Sequence, residues 1–435
     1  MKKSILTLAS IMLLVTSTNA QKVEFEEYKL DNGMHVILHQ DKSAPVVITS
    51  VMYGVGGKDG DRKRTGFAHF FEHLLFEGTA NIKKGEWFKI VSSNGGRNNA
   101  NTSQDRTYYY EIFPSNKLEL GLWMESERLL HPIIKQEGVD TQNEVVKEEK
   151  RQRTRPYSNI LDEISKNIFK VHPYKDPNVG YMKDLDAATL EEFLAFNKKY
   201  YVPNNATLVV AGDIDFATTK KMIQDYFGPI PRGANVVRSF PTETPITEEF
   251  RAKAYDENIQ IPAVIAAYRT PSFKTRDSKI LDMISSYLSV GKSSVLYKKM
   301  VDTKKQALAV QAVNISQQDY GIYALFSLPL GDVTLDQLIV EMDEEIVKIQ
   351  TDLISEKAFQ KLQNQFENNY VNSNASVVGI AGSLASYHVM YGNTNLINSE
   401  IDIYRSVTRE EIRNVANKYL NNNQRLILEY LPKKK

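Results

Sequence analysis

Two histidines and a glutamate near residue 70 have a spacing that suits metal-dependent chemistry. They are His69, Glu72 and His73, and only two phenylalanines separate the first from the second. If this stretch is helical, the three side chains share one face, because residues three and four apart are neighbours on a helix. Burying them in an apolar helix without partners costs several kcal/mol, whereas one divalent metal ion satisfies both imidazoles. The spacing therefore predicts a metal centre with a carboxylate beside it, in an order that is the reverse of the zinc-binding H-E-x-x-H motif.

A second histidine pair has the same spacing but lies in a different pattern. His35 and His39 belong to the stretch Met-His-Val-Ile-Leu-His, which alternates as a β-strand does. At roughly 3.3 Å per residue, a strand separates the two rings by about 13 Å, too far for one metal ion. We expect both side chains to face solvent from a strand.

A catalytic zinc site needs a third protein ligand and leaves one position open for water. The chain has no cysteine, so the third ligand has to be a histidine or a carboxylate. The candidates are Glu144, Glu148 and Glu149 in one charged stretch, and His131 and His172 elsewhere. Spacing alone does not choose among them, and a solvated, charged helix is an equally good interpretation of the stretch itself.

The composition is that of a globular protein without a nucleic-acid partner. Hydrophobic residues make up 42% of the chain and charged residues 25%, which excludes general disorder. Lysine and arginine total 54 against 53 aspartates and glutamates, for a net charge of +1. No basic surplus is available to pair with a phosphate backbone.

The first residues have the pattern of an export signal. Lys2 and Lys3 precede an apolar run from Ile5 to Val15, and a small-residue cleavage site ends at Ala20. This pattern predicts a signal peptide over residues 1–20 and a periplasmic or secreted protein. The apolar run is well short of the roughly 20 residues that span a bilayer, and no later segment is long enough, so we expect no integral membrane segment.

One pattern occurs twice along the chain and predicts two similar domains. Residues 187–213 and 407–430 both contain a helix that ends in Lys and Tyr, a polar turn and a buried strand. A period of about half the chain is too long for a solenoid and indicates two copies of one domain. The predicted organisation is a signal peptide, a first domain, a proline-containing linker and a second domain, with bounds 1–20, 21–232, 233–250 and 251–435.

The elements of the first copy predict its fold class. Short alternating strands and longer helical stretches do not follow one another regularly, which favours an α+β fold with a mostly antiparallel sheet packed with helices. The expected strands cover 34–38, 46–53 and 107–113, and the expected helices cover 85–93, 117–130 and 161–169.

Four stretches of the sequence carry a family resemblance: 65–79 (TGFAHFFEHLLFEGT), 95–114, 143–153 and 172–193. Together they resemble the pitrilysin/insulinase (M16) family of zinc peptidases, in particular its short bacterial members akin to the mitochondrial processing peptidase. The resemblance covers nearly the whole mature chain. It implies two homologous α+β domains that form half of a clamshell chamber.

The resemblance also implies an active site and an activity. Carried over to this sequence, the zinc ligands are His69, His73 and Glu149, and Glu72 is the general base that activates a water molecule. The expected activity is that of an exported zinc metalloendopeptidase, which hydrolyses peptide bonds of oligopeptides or unfolded segments. Zn²⁺ is the only cofactor implied.

Four residues match the family's edge strand, onto which an extended peptide substrate adds by main-chain pairing. They are Asn99, Ala100, Asn101 and Thr102. The alternative is a polar turn that leads into the strand beginning at Thr107.

Two departures from the family pattern bear on partners. The glutamate often found seven residues before the third ligand is Gln142 here. In the second half, the position of a substrate-binding tyrosine is Val310, and Met300–Thr303 lacks the expected arginine. These absences predict a homologous partner subunit that supplies the Arg/Tyr pair in a heterodimer, with a homodimer as a further assembly. The alternative function is a non-catalytic assembly or peptide-binding subunit.

Overall fold

The computed structural model describes residues 22–61, 63–152 and 155–433. The predicted signal peptide, residues 1–20, lies outside the described residues. Among the helices of the described part, none combines the length and the hydropathy that crossing a bilayer would require.

The first half of the chain forms one mixed set of strands and helices. Its strands are β1 (Glu26–Lys29), β2 (His35–Gln40), β3 (Val46–Tyr53), β4 (Arg97–Thr102), β5 (Thr107–Pro114) and β6 (Ala206–Gly212). Its helices are α1 (Phe67–Leu74), α2 (Trp87–Ser93), α3 (Leu118–Leu130), α4 (Gln136–Gln152), α5 (Ile160–Ile168), α6 (Met182–Ala187), α7 (Leu190–Tyr200) and α8 (Phe216–Phe227). The strands and helices expected from the sequence are all present, with bounds that differ by at most two residues.

The second half forms a second set. Its strands are β7 (Phe250–Asp256), β8 (Ala263–Pro271), β9 (Ala307–Ser316), β10 (Tyr320–Pro329) and β11 (Arg425–Pro432). Its helices are α9 (Arg276–Ser289), α10 (Leu335–Thr351), α11 (Glu356–Ser373), α12 (Val377–Ser386), α13 (Leu396–Arg405) and α14 (Arg409–Tyr419).

The two sheets have the same topology. The first has the order β1-β2-β6-β3-β5-β4, and the second has the order β7-β11-β8-β10-β9. In each sheet one pair is parallel, β2 with β6 and β7 with β11, and the remaining pairs are antiparallel. Apart from the extra strand β1, each strand of one sheet therefore has an equivalent in the other. The prediction of an α+β fold with two similar, mostly antiparallel sheets is confirmed.

The repeated helix-turn-strand pattern explains this likeness locally. Thr189 caps α7 and forms a capping box with Glu192, while Thr408 caps α14 and forms the same box with Glu411. Such a box satisfies backbone N–H groups at the start of a helix. In each half the helix is followed by a short 3-10 turn and then by a central strand of the sheet.

The segment between the two sheets contains neither helix nor strand from residue 228 to 249. Glu243 fastens it to the first half, because one carboxylate oxygen accepts the backbone N–H groups of residues 170–172 at 2.7 to 2.8 Å. The same side chain pairs with Arg269 of β8, 3.3 Å away. The segment is thus held by both halves, and the domain bounds on either side of it stay predictions.

The halves exchange equivalent helices. The second face of the first sheet packs against α12 and its neighbour α13, through Ile380, Leu384 and Ile397. In return, α5 contributes Ile164 and Ile168 to the second face of the second sheet. Each sheet is therefore covered on one face by helices of its own half and on the other by a helix of the opposite half.

This exchange corrects one expectation from the sequence. His35 and His39 do lie on a strand, β2, but they do not face solvent, since they are only 9% and 7% exposed. Helix α12 and the turn after it cover that face of the sheet. His39 Nδ1 bonds to the backbone oxygen of Glu24 at 2.7 Å, and His35 lies against His388.

Candidate active site

Helix α1 carries His69, Glu72 and His73, and a glycine sets where it begins. Gly66 has a φ of +86°, a left-handed conformation that L-residues with side chains rarely adopt. A Cβ atom there would lie 2.7 Å from the backbone oxygen of Val179. Only glycine lets the chain turn this closely against Val179 and enter the helix at Phe67.

The apolar residues of α1 orient its polar face. Phe67, Phe70, Phe71 and Leu74 are buried in the main core of the first half. The rings of Phe67 and Phe70 both stack on Phe193 of α7, and the ring centroids are 4.6 Å apart in each pair. The opposite face, with the histidines and Glu72, is left to face α4 and β4.

Helix α4 brings a second carboxylate to the two histidines. The Nε2 atoms of His69 and His73 each lie 3.5 Å from the same oxygen of Glu149. The three side chains offer ligand atoms that all lie within 4.8 Å of one another. Val139 and Val146 are buried on the inner side of α4, and they hold the helix against the core of the first half. A cluster of two imidazoles and one carboxylate is a donor set that suits Zn²⁺.

The other third-ligand candidates lie in different surroundings. Glu144 pairs with Lys147, and Glu148 pairs with Arg151, both along the exposed side of α4. His131 lies 3.2 Å from Glu127, and His172 lies 3.4 Å from Asp319 inside the protein. Among the described residues, the structure brings Glu149 and none of these four to His69 and His73.

Glu72 is placed beside the histidines and is held by the neighbouring strand. Thr102 at the end of β4 donates a hydrogen bond from Oγ1 to Glu72 Oε2 at 2.6 Å. Burial raises the pKa of Glu72 above its usual value, and the hydrogen bond from Thr102 and the nearby His73 only partly offset this. A carboxylate with a raised pKa is suited to accept and return a proton near neutral pH.

Strand β4 forms one edge of the first sheet, next to α1. The sequence allowed either an edge strand or a polar turn for residues 99–102, and the structure has the strand. Asn99 and Asn101 are exposed, whereas Ala100 and Thr102 on the other face are half-buried towards α1. One side of β4 pairs with β5, so the other side is an open sheet edge beside the candidate active site.

A buried arginine that the sequence did not predict contacts the C-terminal end of α1. Arg128 of α3 is 1% exposed and donates a hydrogen bond from Nη1 to the backbone oxygen of Leu75, at the C-terminal end of α1. It pairs with two buried carboxylates, Glu111 and Glu125, each with an oxygen 3.0 Å from Nη2. The guanidinium also lies 4.0 Å from the centre of the Trp87 ring, a cation–π contact. The sequence signal was Glu125 and Arg128, opposite charges three residues apart on a helix that also carries Glu119 and Glu127.

Gln142, one of the two departures from the family pattern, connects α4 to the end of α1. Its Nε2 donates to Glu77 Oε1 at 2.6 Å, and Lys84 pairs with the other oxygen of Glu77 at 3.1 Å. At this contact the amide comes from Gln142 of α4 and the carboxylate from Glu77, just after α1. The contact keeps α4, and with it Glu149, close to the histidines.

The second departure concerns the second half. Val310 is a buried residue of β9, and Met300 is buried in a π-helical turn, Tyr297–Thr303. Neither offers a polar group for substrate.

Comparison with protein families gives two matches. Residues 35–180 match the family described as "Insulinase (Peptidase family M16)", and residues 187–366 match "Peptidase M16 inactive domain". The first match contains His69, Glu72, His73, Glu149 and the strand β4.

Individual relatives give the same result over nearly the whole chain. A protein of Helicobacter pylori named "Zinc protease PqqE" is 28% identical, over 97% of each chain. A crystal structure of a protease from Helicobacter pylori has a TM-score of 0.87 and 26% identity, with 94% of this chain and 99% of the other covered. The periplasmic protease PqqL from Escherichia coli shares the fold, with a TM-score of 0.77 and 18% identity over 94% of this chain but only 48% of its own.

Proposed function

The chain belongs to the M16 family of zinc peptidases, and on that basis we propose that it is an exported zinc metalloendopeptidase subunit. In this proposal it hydrolyses peptide bonds of oligopeptides or unfolded segments. The observation that carries the proposal is the convergence of two histidine Nε2 atoms on one oxygen of Glu149, each at 3.5 Å.

His69, His73 and Glu149 would hold the zinc ion. Two imidazoles and one carboxylate are a known ligand set for catalytic zinc, and they leave a fourth position for water or substrate. When bound, zinc polarises the scissile carbonyl and lowers the pKa of water towards about 7.

Glu72 would move the proton. Its carboxylate takes the proton from the attacking water and returns it to the leaving amine, so it acts as a base and then as an acid. Thr102 holds one carboxylate oxygen in place through its hydrogen bond, which leaves the other oxygen for the water. The raised pKa of Glu72 supports this double role.

Strand β4 would bind the substrate. An extended peptide can add to an open sheet edge through main-chain hydrogen bonds, which carry little sequence information. Asn99, Ala100, Asn101 and Thr102 line this edge. Because Thr102 also contacts Glu72, a peptide added here would run directly past the general base.

A partner subunit would complete the substrate site. The second half lacks the expected arginine and tyrosine, as Val310 and Met300–Thr303 show. PqqL, of which this chain covers 48%, supports the idea that two such units act together. We propose a heterodimer with a homologous chain that supplies the missing pair. The description of PqqL as periplasmic also supports export of this chain.

The second candidate function is a non-catalytic assembly or peptide-binding subunit. The description "inactive domain" for the family matched by residues 187–366 favours it. That segment begins at residue 187, after Glu149. The candidate zinc site therefore lies wholly within the other match, residues 35–180.

Cleavage of a quenched peptide library separates the two functions. We expect cleavage by the wild type that a chelator abolishes and zinc restores, and cleavage that is about 10²–10⁴-fold slower by Glu72→Gln. Glu148→Gln is the matched control, because it removes a carboxylate from the exposed side of α4 next to Glu149. Bound zinc without chelator-sensitive cleavage, even with every co-expressed homologue, would leave only the binding function. Full activity of the chain alone, unchanged by any homologue, would contradict the need for a partner.

A further inference from the structure

A second cluster of two histidines and one glutamate lies between the two halves and shares no residue with the candidate active site. Glu27 comes from β1, His35 from β2, and His388 from a π-helical turn that follows α12. Their ligand atoms all lie within 4.8 Å of one another, as those of His69, His73 and Glu149 also do. Among the described residues, no other group of three potential ligands does so.

The contacts within the cluster are close. His35 Nε2 lies 2.9 Å from Glu27 Oε2, near the roughly 3.3 Å that separates two ligands of one tetrahedral zinc ion at bond lengths of about 2.0 Å. The rings of His35 and His388 stack with their centres 3.5 Å apart and their planes 5° from parallel. The stacking brings imidazoles of the two halves together beside one carboxylate. Because a metal ion lies in the plane of each imidazole that binds it, binding by both histidines requires one ring to rotate about its side-chain bonds.

Surrounding groups resemble those that support metal ligands. Thr394 donates a hydrogen bond from Oγ1 to Glu27 Oε2 at 2.6 Å, and its oxygen lies 3.3 Å from Nδ1 of His388. Carboxylates and imidazoles that bind metals are commonly oriented by such outer hydrogen bonds. The Nδ1 atom of His35 is buried and has no hydrogen-bond partner among the described residues, so the ring lacks a complete set of protein partners.

A cavity beside the histidines provides room for water as a further ligand. It has a volume of about 240 Å³ and is lined by His35, His388, Asn205 and Lys29, among others. Lys29 carries a positive charge that opposes a cation, so we expect weaker binding here than at the active site.

We propose that Glu27, His35 and His388 form a second site for a divalent transition-metal ion of the Zn²⁺ class, which joins the two halves of the chain. Imidazole and carboxylate ligands suit such ions, and a bound ion stabilises the folded state because it binds only when both halves are in place. This site does not depend on the proposed peptidase activity.

Zinc stoichiometry of the untagged chain tests the site. After removal of metal and dialysis against buffered zinc, the wild type is expected to bind two ions. The variant His69→Ala/His73→Ala removes the active-site ligands and is expected to bind one. Adding His388→Gln or Glu27→Gln to that variant is expected to remove the second ion. Glu27 is exposed on β1, so its substitution leaves the core intact and tests the site without unfolding the protein.

Thermal unfolding provides the second readout. In His69→Ala/His73→Ala, the unfolding midpoint should rise with zinc concentration, and Glu27→Gln should abolish that rise. His39→Gln is the matched control, because His39 lies on the same strand outside the cluster. Absence of zinc from His69→Ala/His73→Ala, or retention of zinc and of the thermal shift after Glu27→Gln and His388→Gln, would overturn the proposal.

Discussion

The two halves of the chain share a sheet topology but differ at the helices that border their edge strands. In the first half, α1 packs against the edge strand β4 and against α4; in the second, α9 packs against β9 and α11. The capping threonines of α7 and α14, residues 189 and 408, are 219 positions apart. The same offset takes Glu149 of α4 to Asn368 of α11, and α9 contains no histidine.

This difference shows that the scaffold and the chemistry are separable. The order of the strands is kept by buried apolar residues on both faces of each sheet, and these are present in both halves. The candidate active site needs only a few polar side chains on α1 and α4. The second half lacks them and retains the fold, and it supplies α12 to cover the first sheet.

The largest effect is expected on the rate of peptide cleavage, and only from a substitution in the first half. Glu72→Gln should lower the rate of peptide cleavage by about 10²–10⁴-fold, because general acid–base catalysis contributes that much. Asn368→Ala, in α11 of the second half, should leave the rate unchanged. The measurement is cleavage of a quenched peptide at equal zinc content. Equal losses of cleavage rate in both variants would show that the catalytic role is not confined to the first half.

The next effect concerns the support of α1. Arg128→Met leaves Glu111 and Glu125 buried without their cation, which should cost about 3–5 kcal/mol of unfolding free energy. Val347 of α10, the helix that follows β10 as α3 follows β5, is exposed, and Val347→Ala should have little effect. Denaturant unfolding of both variants measures the difference. A loss for Arg128→Met no larger than that for Val347→Ala would show that the buried network adds nothing.

The exchanged helices predict that the halves unfold together. Leu384→Ala in α12 and Ile164→Ala in α5 each remove a buried side chain, and each should cost about 2–5 kcal/mol. Because each helix completes the core of the opposite half, both variants should lower the midpoint of one shared thermal transition. Leu194→Ala, at an exposed position, is the control. Two transitions, with each variant lowering only one, would show that the halves unfold independently.

The smallest effect is a pH dependence at the contact between the halves. Asp319 of the second half lies 2.7 Å from Lys58 Nζ of the first. Burial raises the pKa of Asp319, but hydrogen bonds from His172 and Lys58 outweigh it and lower the pKa to about 2. A carboxylate with a lowered pKa stabilises the fold above its unfolded pKa of about 4, and this stability is lost as the pH falls towards about 2.

Asp319→Asn should therefore destabilise the protein at neutral pH by about 1 kcal/mol, since the side chain is partly exposed, and by progressively less between about pH 4 and 2. Unfolding midpoints across this range, compared with the exposed Asp332→Asn, measure it. A difference from the wild type that does not change with pH would contradict the pairing.

Sequence reasoning succeeded where the pattern is local. The alternation of Val46–Tyr53 and the repeated helix-turn-strand pattern of residues 187–213 and 407–430 depend on near neighbours, and the expected strands and helices are present. The helical spacing of His69 and His73 was likewise enough to group them on one face. Glu149 could be selected only through the family resemblance, because spacing treats it and Glu148 alike.

The failures all involve contacts between distant parts of the chain. His35 and His39 were expected to face solvent because β2 alternates, and nothing near them in the sequence indicates that α12 covers that face. Arg128 is charged, and its burial depends not only on the nearby Glu125 but also on Glu111 of β5, which only the fold brings to it. The Glu27, His35 and His388 cluster requires both halves, so no local pattern could reveal it.

Anomalous diffraction at the zinc absorption edge, from crystals of the Glu72→Gln variant, shows whether His69, His73 and Glu149 bind zinc together. We expect a zinc peak bonded to Nε2 of His69, Nε2 of His73 and a carboxylate oxygen of Glu149, at about 2.0–2.2 Å from each. Crystals of Glu149→Gln grown in the same zinc concentration should show a weaker peak or none. Zinc-loaded crystals of Glu72→Gln without a peak between these three side chains would show that they are not the zinc ligands.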